Sequence, residues 1–100
     1  MSKTFAERMR EDRRLLMLRI LSEQPGYCAN TSNLYTALEY WGVPATRDDV
    51  LTDVSWLGEQ GLVRHEELVD RVWLVRLRDR GYDVATGKAT VPGVSRPSPR

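Results

Sequence analysis

Few side chains in this chain have the type and spacing that bond-making chemistry requires. The one histidine, His65, is followed by Glu66 and Glu67 and has no serine or cysteine spaced to form a nucleophile–base pair, so it reads as a solvated strand residue. The one cysteine, Cys28, follows the Pro25-Gly26 turn and reads as a small, half-buried side chain. There is no paired-histidine or paired-cysteine spacing for a metal and no glycine-rich phosphate loop. The adjacent acids Asp48-Asp49 fit the first turn of a helix, where the macrodipole favours negative charge, better than a metal site. The expectation is a protein that is not an enzyme, holds no metal or cofactor, takes no small-molecule substrate and acts by binding.

The chemistry that remains belongs to arginine. Thirteen of the fifteen basic residues are arginines, whose planar forks suit phosphates and carboxylates. The formal net charge of +1 hides a segregation along the chain. Residues 1–23 carry a net +2, residues 24–61 a net −4 with Arg47 as their sole basic group, residues 62–87 balance, and residues 88–100 add three positive charges. An acidic middle therefore lies between basic flanks.

The elements that position these groups follow from periodicity and caps. Thr4 and Glu7 have capping-box spacing, and Phe5, Met9, Leu16 and Ile20 mark the stripe of a long first helix that Pro25-Gly26 stops. A second helix is predicted from about Ser32 to Trp41, with Leu34, Ala37, Leu38 and Trp41 on its inner face and Asn30, Thr31 or Ser32 as cap. Thr46 caps a third, with Val50, Val54 and Leu57 facing inward and Gly61 closing it. Leu62–Glu67 and Val72–Leu77 then read as two strands around a turn at residues 68–71, with Trp73, Val75 and Leu77 facing the core. Asp79 is the expected cap of a short last helix reaching Thr86. Residues 1–87 form one domain, and residues 88–100, rich in proline and glycine, read as a basic tail, extended or disordered by itself.

The order helix-helix-helix-strand-strand-helix is mainly α with a small β-hairpin, the order of a winged helix-turn-helix. Leu77 followed by Gly81 resembles the exit from the wing in MarR-type regulators, and Asp70-Arg71 sits one residue short of where those proteins carry a wing-tip Asp-Arg pair. Arg78 stands where that motif usually has threonine. A narrower resemblance joins Arg13-Arg14-Leu15-Leu16, Pro25-Gly26-Tyr27, Asp53-Val54-Ser55-Trp56-Leu57, Gly61-Leu62-Val63, Val72-Trp73, and the terminal Val91-Pro92-Gly93-Val94 through Arg96-Pro97-Ser98-Pro99. Together these resemble a family of small proteins of Mu-like transposable phages and prophages. The resemblance implies a phage setting near head and DNA-packaging genes, in the cytoplasm of a bacterial host.

Two binding readings follow. In the first, double-stranded DNA meets the third helix and the wing, through Arg47, Thr52 and Ser55 on the helix and Arg64 and Arg71 on the wing, in a role in transcription regulation. The net −3 of residues 46–60 opposes that contact. In the second, a phage or host protein meets an acidic face centred on Trp56, which points about 150° from the core stripe at ~100° per residue. Tyr35, Tyr40 and Trp41 extend that patch, unless Trp41 turns into the core; the alternative for Trp56 is cover by helix two or by the basic N-terminus. Phe5 and Met9, without evident cover inside the chain, are candidates for a homodimer interface. No apolar run reaches the ~20 residues of a membrane span.

Overall fold

The computed structural model describes residues 2–98, so Pro99 of the terminal motif and Arg100 lie outside the described residues. Helix α1 runs Phe5–Ser22, and the Thr4 hydroxyl accepts from the Glu7 N–H at 3.0 Å as the spacing predicts. Its first half is exposed and its second half is buried through Leu15, Met17, Leu18, Ile20 and Leu21. Helix α2 follows at Thr31–Tyr40, capped by the Asn30 side chain, and α3 at Arg47–Glu59. The Thr46 hydroxyl and the Asp49 carboxylate satisfy each other's backbone N–H groups at 3.0 and 2.9 Å, a complete capping box.

Strands β2 (Val63–Val69) and β3 (Val72–Leu77) form the antiparallel wing. The first strand runs two residues beyond its predicted end because an irregularity between Glu67 and Val69 lets pairing resume, which leaves Asp70-Arg71 as the tip. A third strand, β1 (Cys28–Asn30), pairs with the other edge of β3, so the sheet order is β1-β3-β2. Three residues are too few to display alternation; β1 exists because the extended approach to α2 meets an unpaired edge of β3. Helix α4 (Asp79–Thr86) packs on α1. Asp79 is its first residue rather than its cap; Arg78 holds that position and supplies no capping side chain.

The core joins the buried half of α1 to Leu34, Leu38, Val50, Val54, Leu57, Leu62, Val63, Val75 and Leu77. The predicted inward set of β3 is the observed one, with Val75 and Leu77 buried and Trp73 packed against the core. Gly81 has a specific reason: a Cβ there would stand 2.1 Å from the Leu62 carbonyl oxygen, which also accepts from the Arg78 N–H. Only a glycine lets α4 cross so close to the start of the wing.

Two expectations change. Trp41 is not on the inner face of α2: it follows the last helical turn, is 61% exposed, and stacks edge-on against the exposed Tyr40 at 5.4 Å. The segment after Gly87 is packed rather than loose, since Val91 and Val94 are buried in the core cluster. Composition alone suggested a tail; two valines three residues apart anchor it.

Candidate nucleic-acid interface

Helix α3 buries Val50, Val54 and Leu57, and with them Asp53, which is 1% exposed. Asp53 therefore does not belong to an exposed acidic face. Its oxygens accept from Arg13 Nε at 2.6 Å and Arg14 Nε at 3.2 Å, so two α1 arginines hold one α3 carboxylate. The position was legible in principle, because Asp53 lies three residues after Val50 and four before Leu57, on the inward stripe itself.

Asp49 and Asp48 are also engaged, while Glu59 is exposed. Asp49 completes the capping box, and Arg13 approaches it at 3.9 Å. The Thr46 backbone N–H, opposed by burial and helped by the Thr46 hydroxyl and the positive charge of Arg13 and Arg10, holds the Asp49 carboxyl below the usual carboxylate range. Asp48 pairs with Arg71, whose left-handed backbone (φ 62°) turns the wing tip back towards the start of α3. Arg13 and Arg14 thus hold Asp53, Arg13 and Arg10 act on Asp49, and Arg71 pairs with Asp48.

The structure brings some predicted residues together and separates others. Asp48, Thr52, Ser55 and Glu59 recur at helical steps along one face, where Thr52, Ser55 and Glu59 line a shallow groove with Leu51 and Trp73. Arg47 lies at the start of α3, its guanidinium 4.6 Å above the Tyr35 ring. Arg71 reaches the same end through Asp48. Arg64 does not join them. The strand register sets it opposite Arg76, on the sheet face turned away from the inward Val63, Val75 and Leu77. His65 stacks on Trp73 at 4.8 Å and lies against Gly58, which ties the wing to the last turns of α3.

Trp56 is half-buried, covered from the basic first helix, as one of the two expected covers, and from residues after Gly87. The Arg14 guanidinium sits 4.0 Å over its ring. Gly93 lies flat against its edge, so closely that a Cβ there would be 2.7 Å from Cζ2 and Cη2. The Gly93 carbonyl accepts from Arg14 Nη1 at 3.1 Å, and the Ser95 N–H donates to the Glu11 carbonyl at 3.2 Å. Residues 91–95 are thus a strap from α3 across to α1, and Gly93 is the role that Val91-Pro92-Gly93-Val94 plays in the fold. At the free end of α1, Phe5 is 78% exposed and Met9 half-buried.

The comparisons with known proteins bear on both fold and family. No family model matches the chain. It is 46% identical over 90 residues to the uncharacterized protein gp26 of Escherichia phage Mu, a match covering 90% of this chain and 92% of that protein. The chain belongs to the gp26 family. An uncharacterized protein of Haemophilus influenzae is a second relative of this gp26-type chain, 42% identical over 83 residues, covering 83% of this chain and 80% of the other. Two solved structures of H. salinarum RosR share its architecture. One superposes with a TM-score of 0.63 over 76% of this chain and 67% of its own, at 21% identity. The other, a complex of hsRosR-S4, gives 0.61 over 80% and 73%, also at 21% identity. At that identity the likeness establishes the fold: the gp26-type chain is a winged helix.

Proposed function

We propose that this gp26-type protein is a non-catalytic binder of double-stranded DNA, regulatory in type and active in the host cytoplasm. It uses the exposed face of α3 and the wing tip. The observation that carries the reading is that Asp53 is buried between Arg13 and Arg14 and Asp49 is held in the capping box beside Arg13, so the exposed face of α3 carries less free acid than its sequence count. A helix presenting Thr52 and Ser55, flanked by Arg47 and Arg71, then offers donors where base edges and phosphates present acceptors. Arg71 is the phosphate or minor-groove contact at the tip, released from Asp48 when a phosphate replaces that carboxylate.

The test is a salt series of fluorescence anisotropy on random and phage-derived duplexes. Binding at low salt that weakens steeply with added salt supports the reading, and no binding at 20 mM salt, roughly where even a few phosphate contacts are strong, overturns it. Arg71→Ala lowers the salt slope by about 1 and weakens all duplexes alike, whereas Thr52→Ala and Ser55→Ala alter the preference among sequences.

One observation favours a second reading, that of a protein-binding winged helix serving phage DNA packaging or assembly. The Tyr40–Trp41 pair is bare on the end of α2, with Tyr40 81% exposed. The Trp56 face first expected to serve that role is occupied by the chain's own strap.

A further inference from the structure

The two sheet arginines outside the α3 surface carry a separate inference. Arg64 on β2 and Arg76 on β3 are directly opposed in the antiparallel register, and Cys28 on β1 is opposed to Arg76 on the other side. One row across the sheet therefore reads Cys28–Arg76–Arg64 on the face away from the core. Opposed residues in such a pair have Cβ atoms about 4.5–5.5 Å apart, and like charges at that spacing oppose sheet formation. Among the described residues neither guanidinium has a carboxylate within ion-pair distance or a hydrogen-bond acceptor, whereas Arg13, Arg14 and Arg71 are each paired with a carboxylate. Both side chains are exposed and, with Leu74, His65 and Glu66, they line a depression in the sheet surface. The next row places Leu74 opposite Glu66, so the depression has an apolar floor and one acidic margin.

We infer that Arg64 and Arg76 form an oxyanion site for a single phosphate group on the outer face of the sheet. Two planar forks converging from neighbouring strands present paired donors to a tetrahedral dianion and balance its charge, whereas one carboxylate would leave half the positive charge uncompensated. The small Cys28 at the end of the row leaves the site open on that side, and Glu66 limits it to one group rather than a run of phosphates. The inference does not depend on DNA binding by α3, because the two surfaces lie on different faces of the wing.

The test uses the full chain with 15N-labelled arginine side chains, titrated with sodium phosphate at constant ionic strength against a sodium chloride control. A saturable shift of the Arg64 and Arg76 Nε–Hε signals at millimolar phosphate, absent with chloride and lost in both Arg64→Gln and Arg76→Gln, supports the site. A linear drift equal to that with chloride, or a saturable shift that survives in the variants, overturns it. Thermal melting gives an independent readout: phosphate raises the wild-type Tm but leaves that of Arg76→Gln unchanged, and an equal rise in both refutes the assignment. A duplex-binding arm identifies the source of the phosphate. A salt slope about 0.9 smaller in Arg76→Gln than in wild type points to a nucleic-acid backbone, and an unchanged slope beside saturable phosphate binding points to a free phosphate. If α3 binds no duplex at all, the phosphate titration still decides the site.

Discussion

Replacing Asp53 with asparagine keeps the size of the side chain and removes the charge on which Arg13 and Arg14 converge. The carboxylate is 1% exposed and the arginine side chains 13% and 11%, so the cluster is largely desolvated. Taking one partner from a buried ion pair costs about 3–5 kcal/mol, because the remaining charge stays buried without its counterpart. Arg13 has Asp49 at 3.9 Å as a second acceptor, and Arg14 keeps the Gly93 carbonyl and the Trp56 ring, which puts the expectation at the lower end, about 3 kcal/mol. For a domain of this size that is a large share of a total stability on the order of 5–15 kcal/mol. At a urea m-value of roughly 1.5 kcal/mol/M the unfolding midpoint falls by about 2 M, and the melting temperature falls by roughly 15 °C. Urea melts followed by circular dichroism measure this, with Glu66→Gln on the exposed sheet face as a control that shifts by less than about 0.5 kcal/mol. An Asp53→Asn protein within about 1 kcal/mol of wild type would refute the view that this carboxylate organises the α1–α3 contact.

Further outcomes follow from single features of the fold. Gly93→Ala places a Cβ against the Trp56 ring at a backbone angle (φ +99°) that disfavours side chains, and is expected to cost about 1–3 kcal/mol, with Trp56 fluorescence shifting to the red as the strap loosens. Asp49→Asn weakens the α3 cap by about 1 kcal/mol at neutral pH. Because folding lowers the Asp49 pKa, the carboxylate's contribution is complete above the ordinary value of 3.8 and is lost as the pH falls through the lowered folded value; the gap between wild type and variant in pH-dependent melts therefore closes in acid, and a gap that widens there would contradict it. We propose that the bare Phe5 end of α1 mediates a two-fold dimer. Sedimentation should then give twice the monomer mass for wild type and the monomer mass for Phe5→Glu, and a wild-type monomer at high concentration would exclude the dimer.

Much of the architecture was legible because local signals agreed with tertiary need. Caps at Thr4, Asn30 and Thr46, the stripe of α3, and the alternation of β3 each state a preference that packing then satisfies. What escaped was decided by partners distant in sequence. Strand β1 is made by the edge of β3, and Trp41 is exposed because the chain leaves the helix at that residue. Asp53 counts towards the net −3 of residues 46–60, although its spacing puts it on the inner stripe. Arg64 was grouped with Arg71 by proximity along the wing, while the two-residue alternation of a strand sends it to the opposite side from the core. The electrostatic character of α3 could not be read from its own residues, since the arginines that offset it come from α1, 39 and 40 positions from Asp53, and from the wing tip, 23 positions from Asp48.

The strap has a consequence in time. Its seat is built from Arg14 on α1 and Trp56 on α3, so nothing can receive residues 91–95 until those helices have already met. It therefore settles only after α1 and α3 have met, and is the first to lift when the folded molecule breathes. Until it settles, the Trp56 edge that Gly93 covers is open to solvent. The amides of Val94 and Ser95 should accordingly exchange with solvent long before those of the buried half of α1, recording an opening that leaves the rest of the domain closed.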